Sequence, residues 1–441
     1  MRGLMETAYA VLARYPLCDY CLGRQFARLA AGYSNRERGK ALKLAMLMDA
    51  LAAGDGERLK ILAVNGGWEA AAQEAEKLYG ARPEKAPCTV CGDKLHENLF
   101  HMLGEKIIKA LSEYEFHTFL VGASVDSSVR EREDSIRSAF GLVYGEDFKN
   151  DVTREIGKLV SSATGSAVNH LTPDITVVVD IFRESFKIVP APVFIAGRYL
   201  KHSRSLPQTV WHCRRCWGRG CESCGHTGRE YPTSVSEIIG LPAVTAFQAE
   251  GFKFHAAGRE DVDALVVGEG RPFVLELRRP RRRTIDLERL TETINEKSGG
   301  LVTVRGLRYA SRREMRALKL TSPSTVKTYS VDVEFEKDVD VESLSKVVEA
   351  LRNTVIEQRT PMRVLRRRAD RVRRKTVYEV QATVTGPRRV NFRVRCQGGL
   401  YVKELVTGDG GRTKPSISEI LENTPVKIEL TVVGVEAPQQ L

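Results

Sequence analysis

The tripeptide Arg-Glu-Asp occurs twice in this chain, at Arg132–Asp134 and at Arg259–Asp261. A carboxylate beside an arginine can be a nucleophile or a general base, or ordinary surface charge, and its surroundings decide which. Asp134 sits in "VREREDSIRSAF", where acids and bases alternate. On a helix that alternation gives ion pairs three and four residues apart along a solvated face, so Asp134 reads as surface. Asp261 follows a strand-like run and the turn Ala256-Ala257-Gly258, where a loop can expose the acid. Asp261 is therefore the candidate for chemistry.

Two later stretches supply groups that such an acid could use. "STVKTYSV" puts Lys327 and Tyr329 on alternate positions, hence on one face of a strand. "GGLYVKELVTGDGGRTKPSISEI" puts Tyr401 and Lys403 two residues apart in what reads as an extended segment, again on one face. A glycine-rich loop and a helix capped at Ser416 follow. An acid, two aromatic rings able to stack on a base, and a lysine to balance the acid's charge are what a nucleobase-handling pocket requires. The formal net charge of +12 favours a polyanionic partner through phosphate neutralisation. Basic residues are also concentrated: 278–283 reads RRPRRR, and 363–375 carries eight basic residues against one acid. The second run reads as a projecting arm or hairpin that grips an RNA backbone.

Eight of the nine cysteines fall into four Cys-x-x-Cys pairs. In a reducing compartment that pattern indicates metal rather than disulfides. Cys18/Cys21 with Cys88/Cys91 would staple the two ends of the N-terminal region around one tetrahedral zinc. Cys213/Cys216 with Cys221/Cys224 would hold a second, its glycines allowing the turns that aim backbone N–H groups at sulfur. With four protein ligands each, both sites are expected to be structural. The segment "CRRCWGRG" also resembles the Cys-x-x-Cys-x-Gly-x-Gly repeat of a chaperone zinc domain, but only at the knuckle. Cys396, in a strand-like run, reads as a buried structural thiol.

Several elements must position these residues. Apolar spacing predicts helices over 1–13, 24–53 and 68–79, then an alternating region: helix 98–114, strand 117–122, helix 147–164, strands 175–181 and 185–193. "GRYLKHSRSLPQTVW" breaks the regular pattern. Beyond 230 the chain turns strand-rich, with strands predicted at 252–257, 264–267, 273–277, 328–335, 376–385 and 391–396, and helices at 234–239, 286–297 and 341–354. Ser234-Val-Ser-Glu-Ile and Ser416-Ile-Ser-Glu-Ile each read as a capping box opening a helix. The expected fold is α+β and multidomain: a helical zinc-knuckle segment over 1–95, a small α/β domain over 96–229 that includes the second cysteine cluster, and a catalytic domain over 230–441. No apolar run reaches the roughly 20 residues a bilayer crossing needs, and no signal-peptide cleavage site is apparent, which points to the cytoplasm. Nothing suggests a protein partner.

The stretches Gly258–Asp263, "GEGRPFVLEL", "KTY", "TPMRVLRRR" and "GGLYVKELVTGDGGRTKPS" together resemble the motifs of the archaeal and eukaryotic tRNA pseudouridine synthase family that acts on uridines 54 and 55 of the T loop. The resemblance covers essentially the whole chain and is densest over 230–441. It implies a pseudouridine synthase catalytic domain, a mixed antiparallel sheet with flanking helices, and a THUMP-like RNA-binding domain in the middle region. It implies that Asp261 is the nucleophile, that Lys403 pairs with it, and that Arg259 fills the space of the flipped nucleotide. Tyr329 would stack on the uracil and serve proton removal, and Tyr401 would contact substrate. No organic cofactor is required, and the implied partner is the T arm of tRNA. The alternative is a non-catalytic zinc-containing tRNA-binding or RNA-chaperone module, in which Asp261 is merely structural. Other tRNA-modifying enzymes, such as methyltransferases, would need a glycine loop for their donor, and none is apparent.

Overall fold

The computed structural model describes residues 3–321 and 325–436. The chain divides into two compact units, Met1–Ala191 and Pro192–Leu441. No helix among the described residues is long and apolar enough to cross a membrane.

The first unit opens with helices Leu4–Arg14, Asp19–Arg24, Asn35–Ala52, Gly56–Val64 and Glu69–Tyr79. The long helix predicted over 24–53 is broken: turns intervene between Arg24 and Asn35, and Ser34 restarts the helix as a cap, accepting the Glu37 N–H. A four-stranded sheet follows, in the order Ala167–Val168, Thr118–Ser124, Ile175–Asp180, Ser185–Pro190. Its first two pairings are parallel and the last is antiparallel. Ile175, Val177 and Val179 point to one buried face. Helix Phe148–Thr164 contributes Phe148, Val152, Ile156 and Val160 at four-residue spacing to the same core. That core also takes in Leu12, Leu47 and Leu62 of the N-terminal helices, so the helical segment and the α/β domain expected as separate share one interior.

Arg24 is fully buried in this unit. Its guanidinium lies 2.7 Å from Glu133, 3.0 Å from Asp151 and 4.6 Å from the centre of the Phe148 ring. The first Arg-Glu-Asp is thereby explained. Its glutamate is an internal anchor, and Asp134 is an exposed residue 3.7 Å from Arg137, as expected of surface charge.

The second unit is built on a ten-stranded sheet. Its path runs Thr413–Lys414, Thr354–Arg359, Val372–Gly386, Arg389–Gln397, Val326–Phe335, Pro425–Val435, Leu265–Arg278, Val193–Lys201, Val302–Ala310, and Gly251–Ala256 pairs with Leu265–Arg278. Every pairing is antiparallel except that of 265–266 with 431–432. Helices Val235–Phe247, Leu287–Lys297 and Val341–Leu351 pack on it. Ser234 and Ser416 both cap helices through the N–H three residues on. Cys396 is buried in strand 389–397, and burial pushes its thiol up to about 12.

Three expectations need correcting. Residues 197–201, read as the start of a break in the pattern, belong to an inner strand, Val193–Lys201, that lies between 265–278 and 302–310. The division between units therefore falls at 191/192, not at 229/230, and the second cysteine cluster lies in the second unit. Strands 264–267 and 273–277 are one 14-residue strand, bent where Gly268 and Gly270 take positive φ.

Arg24→Met should destabilise the first unit by about 3–5 kcal/mol, the cost of stripping one partner from a buried ion pair. Asp134→Asn should change stability by less than about 0.5 kcal/mol, as for surface substitutions generally. Denaturant unfolding of both variants checks the contrast.

Candidate active site

Asp261 lies in the loop between strands 251–256 and 265–278, and four buried polar side chains fix that loop. Glu260, beside the candidate acid, points inward. Tyr199 donates to both its carboxylate oxygens at 2.8 and 2.9 Å, and the Gln208 amide donates at 3.0 Å. Arg271, 1% exposed, sits 2.9 Å away and also donates to the Ala257 carbonyl. Burial foremost, with the Glu260 charge, pushes the Tyr199 hydroxyl well above its ordinary range, so it remains a donor. The Gln208 amide also reaches the Gly258 carbonyl. Gly258 has φ +88°, a conformation that costs glycine nothing and opposes any side chain.

Lys201 holds the other side of the loop. Its buried ammonium donates to the carbonyls of Leu206 (2.8 Å), Asp261 (3.2 Å) and Val262 (2.7 Å). Three donors meet three acceptors, so the charge is solvated by backbone dipoles. Burial lowers its pKa to about 8.

With Glu260 turned in, Asp261 turns out into a cleft of about 310 Å³ lined by Trp211, Arg259, Tyr329, Arg363, Tyr401 and Lys403, among others. The cleft is large enough for a nucleoside-sized ligand. Leu400, Val402, Leu430 and Val432 give it apolar walls. Tyr329 is 8% exposed, and burial raises its hydroxyl above the ordinary value. Arg259 lies over the Trp211 ring at 5.5 Å.

The partner nearest Asp261 is one the sequence reading placed elsewhere. Arg363, assigned to a projecting basic arm, donates to Asp261 Oδ1 at 2.9 Å and to the buried Glu404 at 2.6 Å. Lys403 comes within 3.9 Å of Asp261, but its short bonds, 2.6 and 2.8 Å, go to Asp263. Burial works against the Asp263 charge, yet Lys403 holds that carboxyl below its usual range. Lys403 and Tyr401 do not share one face of a strand. Tyr401 caps the helix Val402–Thr407, and the turn into that helix brings the two side chains to the cleft. Arg368 donates to the Tyr401 hydroxyl at 3.0 Å.

The 363–375 run is thus not a free arm. It spans a turn of 3-10 helix, Met362–Arg367, and the start of strand Val372–Gly386. Arg373 bonds Thr360 and Arg374 bonds Glu357, while the Arg367 side chain lies outside the described residues. Sequence reasoning also missed Tyr199, Lys201 and Gln208. The signal was present, since Tyr199 and Lys201 alternate as strand neighbours, but it was hidden in a segment read as irregular.

Each cysteine tetrad converges, with all its sulfurs within 4.8 Å of one another. Cys18 and Cys91 sulfurs are 3.6 Å apart, and Cys213–Cys221, Cys216–Cys224 and Cys221–Cys224 are 3.9, 3.9 and 3.7 Å apart. Zn–S bonds of about 2.3 Å in a tetrahedron give edges of roughly 3.8 Å, so both tetrads fit a metal ion. In the second, the Gly220 and Gly228 N–H groups donate to Cys216 and Cys224 sulfur at 3.2 Å.

This buried-anchor loop beside an aromatic, basic cleft has relatives. Residues 194–436 match the family model for the C-terminal region of Pus10, and residues 103–180 match that of the archaeal Pus10 THUMP domain. These define the class as pseudouridine synthases, which are isomerases, carrying a THUMP domain. The tRNA pseudouridine synthase Pus10 of Thermofilum pendens is 41% identical over 97% of this chain and 94% of its own length. That of Methanopyrus kandleri is 43% identical over 95% of each, and that of Methanocaldococcus jannaschii 38% identical over 98% of this chain and 95% of its own. The chain belongs to the Pus10 family of tRNA pseudouridine synthases. Among solved structures, a Cbf5-Nop10-Gar1 complex matches at 18% identity over 46% of this chain and 45% of that one, with a TM-score of 0.27, too low to bear on the argument.

Lys201→Met should leave the fold intact but loosen the loop, with faster amide hydrogen exchange over 259–264. Turnover should fall about 10²-fold, the scale of a misplacement near 1 Å at a reacting centre. Unchanged exchange and turnover would show that Lys201 merely fills space.

Proposed function

We propose that this chain isomerises uridine 54, uridine 55 or both in the T loop of tRNA, with Asp261 as the nucleophile. The observation that carries this reading is the orientation of Asp261: a carboxylate turned into the cleft by its buried neighbour Glu260, 2.9 Å from Arg363, beside aromatic and apolar walls. The choice of the T-loop positions rests on the family resemblance of the site motifs.

In this mechanism a carboxylate oxygen of Asp261 bonds to the target nucleotide as the N1–C1′ glycosidic bond breaks. The freed uracil turns in the cleft and its C5 bonds to C1′, expelling Asp261. The proton lost from C5 is matched by one gained at N1, so the reaction balances without a co-reactant. Arg363 and Lys403 offset the anionic charge that moves between carboxylate and base. Tyr329, nearly buried in the cleft wall, stacks on the uracil and serves proton removal, the role the family resemblance implies. Tyr401, tethered by Arg368, contacts the base or ribose from the other side. Arg259 can leave Trp211 and enter the gap that the extruded uridine leaves in the RNA.

We further propose that both tetrads hold zinc. Bound zinc cross-links chain segments and takes no part in the reaction: Cys18, Cys21, Cys88 and Cys91 join the ends of the N-terminal helical segment, and Cys213, Cys216, Cys221 and Cys224 fold a short ribbon.

Asp261→Asn should abolish pseudouridine formation in a tRNA transcript while tRNA affinity stays within about threefold, because an amide keeps the shape but is not a nucleophile. Retained turnover would show that Asp261 is structural and that another group carries the reaction. Arg363→Met should lower kcat by about 10²-fold or more, as removal of one preorganised charge partner does. For the metal, elemental analysis of protein purified without chelator should give two zinc ions per chain. Cys91→Ser should lower that count to one and destabilise the first unit, since metal binding and folding are coupled.

A further inference from the structure

The second cysteine ribbon has a feature that metal binding does not explain. Its two knuckles are built alike: Cys213-x-x-Cys216 followed by Trp217, and Cys221-x-x-Cys224 followed by Gly225. The residue after the second cysteine takes the left-handed conformation in both, with φ +55° at Trp217 and +57° at Gly225. Glycine adopts that backbone freely, whereas a bulky side chain there is a strained outlier. One knuckle thus carries the residue its backbone calls for, and the other carries tryptophan.

Trp217 gains no burial in return. It is 80% exposed, the largest side chain type offered to water on a turn whose backbone is fixed by the bond from its N–H to the Cys213 carbonyl. Around it the ribbon is basic. Arg214 and Arg229 are ion-paired with Glu230 and Glu237 at 2.7 and 2.6 Å, while Arg215 bonds the Ser223 hydroxyl and Arg219 the Cys216 carbonyl, so the last two guanidinium groups keep charge to offer an anion. The ribbon closes at a bridge between His212 and Arg229, next in sequence to Trp211, which lines the Asp261 cleft. It is therefore rooted on the cleft rim.

We propose that Trp217 is an RNA-contact site, a stacking platform for an unpaired nucleobase of the substrate tRNA outside the catalytic cleft. Arg215 and Arg219 meet the neighbouring phosphates. A solvent-facing indole on a strained, hydrogen-bonded turn, with Arg215 and Arg219 two residues away on either side in sequence, has the chemistry of sequence-tolerant base stacking. The inference rests on tRNA as substrate and concerns binding rather than isomerisation.

The test uses the full-length, zinc-loaded chain and an unmodified tRNA transcript labelled for fluorescence anisotropy. W217G should weaken binding about tenfold, within the range found when one base-stacking aromatic is removed. W217F should stay within about threefold of wild type. The slope of log affinity against log salt should be unchanged in W217G, because no phosphate contact is lost. W217G should melt no lower than wild type, since glycine relieves the strained backbone. Should W217G bind less zinc, W217L against W217F decides: both keep a side chain at the strained position, and only the leucine should lose affinity. Affinity of W217G within twofold of wild type at equal zinc content overturns the proposal, as does equal binding by W217L and W217F. Because binding is the readout, failure of the wild-type chain to form pseudouridine would count against the proposed reaction and leave this comparison decisive.

Discussion

The site depends on one carboxylate that is turned inward, Glu260. Glu260 is buried with two hydrogen-bond donors and the Arg271 guanidinium around it, and a buried charge is tolerated only when it is paired and hydrogen-bonded. Once Tyr199, Gln208 and Arg271 satisfy it, the chain has no freedom to turn Glu260 outward. Its neighbour must then face the other way, into the cleft. Lys201 completes the constraint by gripping the backbone carbonyls on the far side. The candidate nucleophile is aimed by satisfying its neighbour.

The same logic explains why two identical tripeptides differ. In each, the glutamate is an internal anchor for a buried arginine: Glu133 for Arg24, Glu260 for Arg271. What separates them is the backbone that follows. Within helix Ser127–Phe140 the next residue, Asp134, lies on the solvent face and meets water. In the loop after Gly258 it meets a cleft.

The sequence made the candidate acid, the aromatic residues of the cleft and both cysteine tetrads legible, because local composition and spacing carry their signal. It did not show the anchors. Tyr199, Lys201 and Gln208 stand more than fifty residues before Asp261, and only sheet pairing brings them to it. Arg363 was misplaced for a related reason. A dense run of arginines looks uniform in sequence, yet the turn Met362–Arg367 rotates one of them toward Asp261 and Glu404 and leaves others on strand or surface. Tyr401 and Lys403 reach the cleft from a different element than expected, since a two-residue spacing fits a strand while here a helix begins between them.

The strand Val193–Lys201 has a consequence for how this molecule can be divided. It follows directly on the first unit, so it is easily taken for the end of an accessory domain. Yet it is hydrogen-bonded on both sides, to 265–278 and to 302–310. A catalytic fragment begun at the zinc ribbon, or at the helix after it, would carry every residue from Asp261 onward and still lose an inner rung of its sheet. Two strand edges of an otherwise apolar interior would be left open, the kind of surface that recruits other chains into aggregates. Modular exchange of the RNA-binding unit, whether by recombination or by design, has its seam at the short link between Pro190 and Val193.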